Sequence, residues 1–265
     1  MNRISLRADG LELAGRLYQP RPKRGETYPA LCLCHGIPAG PPDPSDAGYP
    51  ALAERFCAQG FIVLIFNFRG TGASQGNFDI LGWCRDLAAA MDYLYQLEEV
   101  DKSRLSLMGF SGGAAVAVQV AASDNRVSSI VTCACPAEFS RFKSPEGRDA
   151  MIEQSRRTGT IRDSNFPPSL EEWARGFEIV SPINWVHRIA PRPILIVHGD
   201  SDELIEPSQA LKLYHRAGEP KELLLIQGAG HRLRTNEMAV SAALSWLKRV
   251  NNIPASSLGC QGGPS

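Results

Sequence analysis

Leu105-Ser106-Leu107-Met108-Gly109-Phe110-Ser111-Gly112-Gly113 reads as a short apolar strand, a tight turn and the start of a small-residue helix. Glycines stand two places before and two places after Ser111, where a side chain would collide with the neighbouring backbone of a strained strand-to-helix turn. That is the pattern of a nucleophile elbow. The serine hydroxyl is exposed at the carboxyl edge of a sheet, and the N–H of Gly112, unpaired at the helix start, faces a developing oxyanion. The same residues also suit a glycine-rich turn with a capping serine, a form that can hold a phosphate. No Lys follows as in a P-loop, and no Gly-x-Gly-x-x-Gly opens the first βα turn, so the nucleotide alternatives lose ground.

Around this segment short apolar runs alternate with longer helical ones. Strands are expected at Leu11 to Tyr18, Ala30 to Cys34, Phe61 to Phe66, Leu105 to Gly109, Val127 to Cys133, Ile194 to His198 and Leu223 to Gln227, most of them continuously apolar, as strands covered on both faces are. Ile4 to Arg7 is expected to form an antiparallel hairpin with the first run across Ala8-Asp9-Gly10. Helices are expected at Tyr49 to Gln59, Gly82 to Leu97, Gly112 to Ala122, Pro207 to Ala217 and Thr235 to Val250. The pattern predicts an α/β fold, doubly wound around a mostly parallel sheet, in a single domain over residues 1–250.

The alternation breaks once, between Pro136 and Ile189, where helix-like pieces at Glu146 to Thr158 and Leu170 to Phe177 flank Pro167-Pro168. Residues 136–189 are therefore expected to form a small inserted cap, and residues 251–265 an unpacked tail poor in apolar side chains.

Lys and Arg number 28, as do Asp and Glu, so no long-range field of either sign draws in nucleic acid or an anionic membrane. The first residues lack a signal-length apolar stretch and no run of eighteen apolar residues occurs, which predicts a cytoplasmic protein. The seven cysteines form no Cys-x-x-Cys pair, and reduced thiols are expected. Cys32 and Cys34, and Cys133 and Cys135, are spaced to put both sulfurs of each pair on one strand face.

A serine hydroxyl needs a base and a group that orients the base. After Ile194-Leu195-Ile196-Val197-His198 comes the acidic turn Gly199-Asp200-Ser201-Asp202-Glu203, and after the last strand comes Gly228-Ala229-Gly230-His231. Ser, Asp, His is the chain order of α/β-hydrolases. His231 is the expected general base. His35 and His198 each precede a glycine at a strand end and read as turn braces, whereas His187 and His215 lie in helix-like segments of their own. Arg69 and Asp86, the latter taken to start a helix, are assigned to structure, and Trp83, Trp173 and Trp185 to packing, the last two with a possible place in a binding wall.

With Ser111 and these partners go His35-Gly36, Phe68-Arg69-Gly70-Thr71-Gly72-Ala73-Ser74-Gln75-Gly76, His198-Gly199-Asp200-Ser201-Asp202 and Gly230-His231. Five motifs in this order, spanning roughly Leu11 to Val250, resemble the α/β-hydrolase superfamily in its branch of small esterases, dienelactone-hydrolase-like and prolyl-oligopeptidase-like enzymes. The resemblance implies that the residue after His-Gly, here Ile37, supplies a second oxyanion N–H. It departs in Pro38-Ala39-Gly40-Pro41-Pro42-Asp43-Pro44, an unusually proline-rich stretch.

Of the three crowded carboxylates, Asp202 is chosen as the acid. Asp200 stands directly at the strand end, where it points along the sheet or caps the turn, while a residue further out on the descending loop can reach across to His231. The family pattern of His-Gly, an Asp three residues on and a later aliphatic residue, matched by His198, Gly199, Asp202 and Ile205, supports the same register. The expected chemistry is cofactor-free and metal-free hydrolysis of a small carboxylic ester through an acyl-enzyme. Peptide or thioester hydrolysis is the nearest alternative, and a catalytically silent ligand-binding protein or a scaffold the alternative of another kind. Oligomeric state is not legible.

Overall fold

The structure is a computed structural model and describes residues 1–21, 25–40 and 46–254. Pro41 to Pro44 and residues 255–265, with Cys260, lie outside the described residues.

Eight strands form one sheet: β1 (Asn2–Ala8), β2 (Leu11–Tyr18), β3 (Tyr28–Cys34), β4 (Ile62–Phe66), β5 (Val100–Phe110), β6 (Val127–Cys133), β7 (Ile194–Gly199) and β8 (Lys221–Ile226), in the order β1-β2-β4-β3-β5-β6-β7-β8. From β4 to β8 every pairing is parallel, and β2 alone runs against its neighbours β1 and β4. The expected hairpin across Asp9-Gly10 is present, with both turn residues at positive φ.

Among the described residues there are seven helices: α1 (Gly48–Cys57), α2 (Ile80–Gln96), α3 (Gly112–Ser123), α4 (Pro145–Arg157), α5 (Leu170–Val180), α6 (Pro207–Arg216) and α7 (Glu237–Val250), of which α4 and α5 lie in the inserted segment. The period of two in the strands decides which layer each residue meets. Ala30, Cys32 and Cys34 of β3 and Ile62, Leu64 and Phe66 of β4 join the core beneath α2 and α3. Leu31, Leu33, Val63 and Ile65, their alternates, join the core beneath α1 and α7. Because both faces are buried, the strands read as unbroken apolar runs.

Three expectations are corrected. The helix expected from Gly82 begins at Ile80, because Asp79 caps it by accepting from the N–H groups of Leu81 and Gly82, a contact worth about 1 kcal/mol. Asp86 therefore lies inside the helix rather than at its start. Cys32 and Cys34 do share a face, but Cys133 and Cys135 do not: β6 ends at Cys133 and Ala134 has φ 50°, so the two thiols enter opposite cores. The cysteines among the described residues are all free. Packing also runs past Val250, since Asn251 is buried and its amide donates to Ser106 Oγ at 3.1 Å, and Ile253 rests on the core under α7.

The inserted segment between β6 and β7 contributes α4 and α5 and is latched to the loop that follows β4. Trp173 Nε1 donates to the Phe78 carbonyl at 2.9 Å, and the N–H of Phe78 donates to Thr160 O at 2.8 Å. Arg162 donates to the carbonyls of Ser74 and Gly72 at 2.9 and 3.0 Å. Among the described residues no helix is long and apolar enough to cross a membrane.

Candidate active site

The carboxyl ends of the parallel strands are level, and this brings distant parts of the chain together. Phe110 pairs with Cys133, Cys133 with Val197, and Gly199 with Ile226. The loops after β5, β7 and β8, carrying Ser111, Asp202 and His231, thus leave one edge of the sheet, where ligands of open α/β sheets bind.

Ser111 has φ 51° and ψ −125°, a conformation that costs a non-glycine residue about 1–3 kcal/mol. Its N–H donates to Cys133 O at 2.9 Å, and its carbonyl accepts from Ala114 N and Ala115 N at 2.9 and 3.2 Å, so the strain is held from both sides. Close approach explains the flanking glycines: a Cβ on Gly109 would lie 2.4 Å from Ala114 Cα, and one on Gly113 would lie 2.1 Å from His35 O. The residue is half-buried, and its hydroxyl makes no hydrogen bond to a described residue.

The turn after β7 grips the histidine loop with three carboxylates. Asp202 Oδ2 and Oδ1 lie 2.9 and 3.1 Å from His231 Nδ1. Asp200 Oδ1 accepts from Gly228 N–H at 2.7 Å, and Glu203 Oε2 from His231 N–H at 3.4 Å. Of the three candidates, then, Asp202 alone faces the imidazole, and Asp200 caps the loop that carries it. Asp202 Oδ1 also accepts from Leu204 N and Ile205 N, each at 2.9 Å. Burial pushes the Asp202 carboxyl up, but His198, His231 and these two N–H groups outweigh it and hold it far below the usual carboxylate range. An ionised acceptor on Nδ1 places the proton there and leaves His231 Nε2 as the basic nitrogen. The His231 side chain is 15% exposed.

The second wall is the loop after β3. His35 Nδ1 donates to Gly36 O at 2.8 Å, and its Nε2 accepts from the N–H of Phe68 at 3.2 Å, which settles the tautomer. Burial pushes this imidazole down to about 4, against the pull of the Gly36 carbonyl, so it stays neutral and braces the loop. Gly36 is pressed against the elbow: a Cβ there would lie 3.1 Å from Ser111 Cβ. A Cβ on Gly112 would lie 2.8 Å from the Ile37 side chain and 3.7 Å from Ile37 N, so the loop after β3 and the elbow are in close contact at the two residues assigned to an oxyanion. Neither backbone N–H donates to another described residue.

Sequence reasoning did not single out Asp46, Tyr49 or Arg234. Arg234, three residues past His231, pairs with Asp46, and its guanidinium lies over the Tyr49 ring, 5.1 Å from the centroid. Tyr49 packs edge-on against His35 and against Phe110 beside the elbow. Burial pushes its phenol up, opposed by the Arg234 charge and a backbone hydrogen bond from Gly36. No local motif could have joined residues 188 positions apart. His187 and His215 are exposed and remote in sequence from these loops, Trp83 and Trp173 are buried in the core, and Trp185 is partly buried against it. Among the described residues no group of three or more His, Cys, Asp or Glu side chains is placed to hold a metal ion.

Comparison with known proteins agrees with this fold. Residues 50–253 match the prolyl oligopeptidase family. Polyketide transferase ATR5 of Stachybotrys chlorohalonatus is 26% identical over 290 residues, covering 91% of this chain and 94% of its own. The crystal structure of the α/β hydrolase GrgF from Penicillium superposes with a TM-score of 0.72 at 23% identity, over 95% of this chain and 99% of that one. Est1E from Butyrivibrio proteoclasticus, solved with ferulic acid bound, has a TM-score of 0.68 at 20% identity, over 93% and 96% of the two chains.

Proposed function

The chain belongs to the prolyl oligopeptidase family, within the α/β-hydrolase superfamily, and on that premise we propose that it is a serine hydrolase that cleaves small carboxylic esters through an acyl-enzyme. The carrying observation is that Asp202 meets His231 Nδ1 at 2.9 Å across two loops that leave the same sheet edge as the strained Ser111.

In the first half-reaction Ser111 Oγ attacks the ester carbonyl carbon while His231 Nε2 takes the hydroxyl proton. The N–H groups of Ile37 and Gly112 hold the negative oxygen of the tetrahedral adduct. The adduct collapses, the C–O bond to the alcohol breaks, and His231 returns the proton to the leaving alkoxide. Water, deprotonated by the same nitrogen, then releases the acid and restores Ser111. Hydrogen bonds of a resting hydroxyl are often long and tighten only with substrate in place, which accords with an unpaired Ser111 Oγ.

The inserted segment 136–189 is assigned the role of a cap that sets acyl specificity. Its hydrogen bonds to the loop after β4 support a position over the carboxyl edge of the sheet.

Transfer of the acyl group to an acceptor other than water is the second reading, favoured by the relative named as a polyketide transferase, whose match spans nearly the whole of both chains. Both readings share the acyl-enzyme. A fluorophosphonate label should attach to Ser111, and a panel of acyl esters and thioesters, with water or an added alcohol as acceptor, should separate them by product. No labelling would favour a silent binding protein. Turnover should rise with pH through a single ionisation, because only neutral imidazole accepts the proton, and a rate flat between about pH 5 and 8 would remove the histidine base.

A further inference from the structure

We infer that His198 is a second histidine on the catalytic carboxylate, a positioning residue whose Nε2–H donates to Ile205 O on the Asp202 turn and, 3.3 Å from Asp202 Oδ2, keeps that oxygen aimed at His231. The inference rests on reading Ser111, His231 and Asp202 as the catalytic triad.

Asp202 Oδ1 is filled by the backbone N–H groups of Leu204 and Ile205. Oδ2 has an imidazole on each side: His231 Nδ1 at 2.9 Å and His198 Nε2 at 3.3 Å. The His198 side chain is completely buried, so no solvent competes for its nitrogens. Nε2 also lies 2.9 Å from Ile205 O. Both neighbours of this nitrogen are acceptors, and the proton must therefore sit on it, donated to the Ile205 carbonyl with the carboxylate close beside it. Nδ1 is buried without a hydrogen-bond partner among the described residues. The opposite tautomer would bury an unpaired N–H at Nδ1 and press a lone pair against two oxygens, so it is disfavoured twice.

His198 lies within β7, opposite Leu225 of β8, and its backbone is fixed by the sheet. It is thus a rigid donor, whereas Asp202 and His231 stand on loops. The consequence is an Asp202 that accepts from three donors, Leu204 N, Ile205 N and His231 Nδ1, with the His198 N–H as a fourth positive dipole beside Oδ2. Its charge is then felt by two imidazole N–H groups instead of by His231 alone. The other carboxylates facing the histidine loop are Glu203, on the N–H of His231, and Asp200, on the N–H of Gly228.

Two variants of the full chain test this. His198→Leu removes the donor at similar volume, and His198→Gln keeps an N–H near the position of Nε2. For His198→Leu, kcat and the rate of fluorophosphonate labelling at Ser111 should fall roughly 10-fold with KM unmoved, as the turn loses its hydrogen bond at Ile205 O and the carboxylate the N–H dipole beside Oδ2. Its pH limb should move upward, because the carboxylate charge then bears on His231 alone. His198→Gln should recover most of the rate. A His198→Leu enzyme with wild-type rate and pH limb, or a His198→Gln enzyme no better than it, overturns the inference. Nitrogen-15 shifts of the histidines in the unaltered protein provide a reading that needs no variant. A bare Nδ1 and protonated Nε2 at His198 support the inference, and the reverse tautomer overturns it. Failure of the wild-type chain to label at Ser111 would instead strike the triad itself, leaving the tautomer result to stand on its own.

Discussion

The loop that follows β4 and the loop that follows β7 both set a buried carboxylate against a basic side chain, and they differ in what is left over once the pairing is complete. In the first, Arg69 spans Asp86 with Nε at 3.0 Å and Nη2 at 2.7 Å, gives its second face to Asp9 at 2.8 Å, and its backbone N–H also donates to Asp86. Trp83 Nε1 closes the group from above on the Arg69 carbonyl. Arg69 and Asp86 side chains are 7% and 0% exposed, and both Asp86 oxygens are taken up by Arg69. In the second, Asp202 is as deeply buried, but its partner His231 uses one nitrogen for the carboxylate and leaves the other uncommitted. A sealed ion pair can only hold structure. A pair that leaves one imidazole nitrogen uncommitted is what the proposed reaction needs to move a proton. The two buried pairs are thus told apart by the basic side chain and what it leaves unfilled.

That contrast can be broken at four points, in falling order of effect. Ser111→Ala should lower ester turnover by about a million-fold and abolish fluorophosphonate labelling while the protein stays folded, as loss of a triad nucleophile does in a comparable enzyme. Labelling retained on another serine would displace Ser111. Asp202→Asn should keep the fold and cut turnover by roughly four orders of magnitude, because an amide at that position favours the wrong tautomer of His231.

Asp86→Ala tests the other loop. It leaves a buried guanidinium without its main partner, and should destabilise the protein by about 3–5 kcal/mol, lowering Tm by roughly 10 °C, with kcat per folded molecule unchanged. Thermal unfolding with parallel active-site titration reads both quantities, and a fall in kcat without a fall in Tm would make this loop catalytic after all. Asp200→Asn, last, weakens one hydrogen bond to the Gly228 N–H and should cost about 1 kcal/mol, or a few-fold in turnover. If Asp200→Asn were the severe mutant and Asp202→Asn the mild one, the acid would have to be reassigned.

Much of the fold was legible because strands covered on both faces must be apolar throughout. β6, and with it the alternating β2, begins and ends at the expected residues. Strand β5 starts five residues earlier than its apolar run, and two other boundaries slipped because side chains outside the run set them: Asp79 starts α2 two residues early, and Asn251 extends the packed chain by way of Ser106. The Cys133 and Cys135 spacing misled because a period of two holds only while the strand lasts, and Ala134 already turns.

At the site, the sequence by itself determined the parts whose chemistry is local. An elbow needs its two glycines within two residues of Ser111, a turn needs its acidic residues crowded after Gly199, and the chain order Ser, Asp, His follows from the order of the strands. What only the tertiary structure decided were the distances between those parts: Asp202 rather than Asp200 or Glu203 against His231, Gly112 beside Ile37, Arg234 on Asp46 and Tyr49, and His198 turned toward the carboxylate. The physical reason is that a residue's strain and capping needs are settled by its neighbours in the chain, whereas the partner of a side chain is settled by the register of parallel strands. That register joins residues that no local pattern connects.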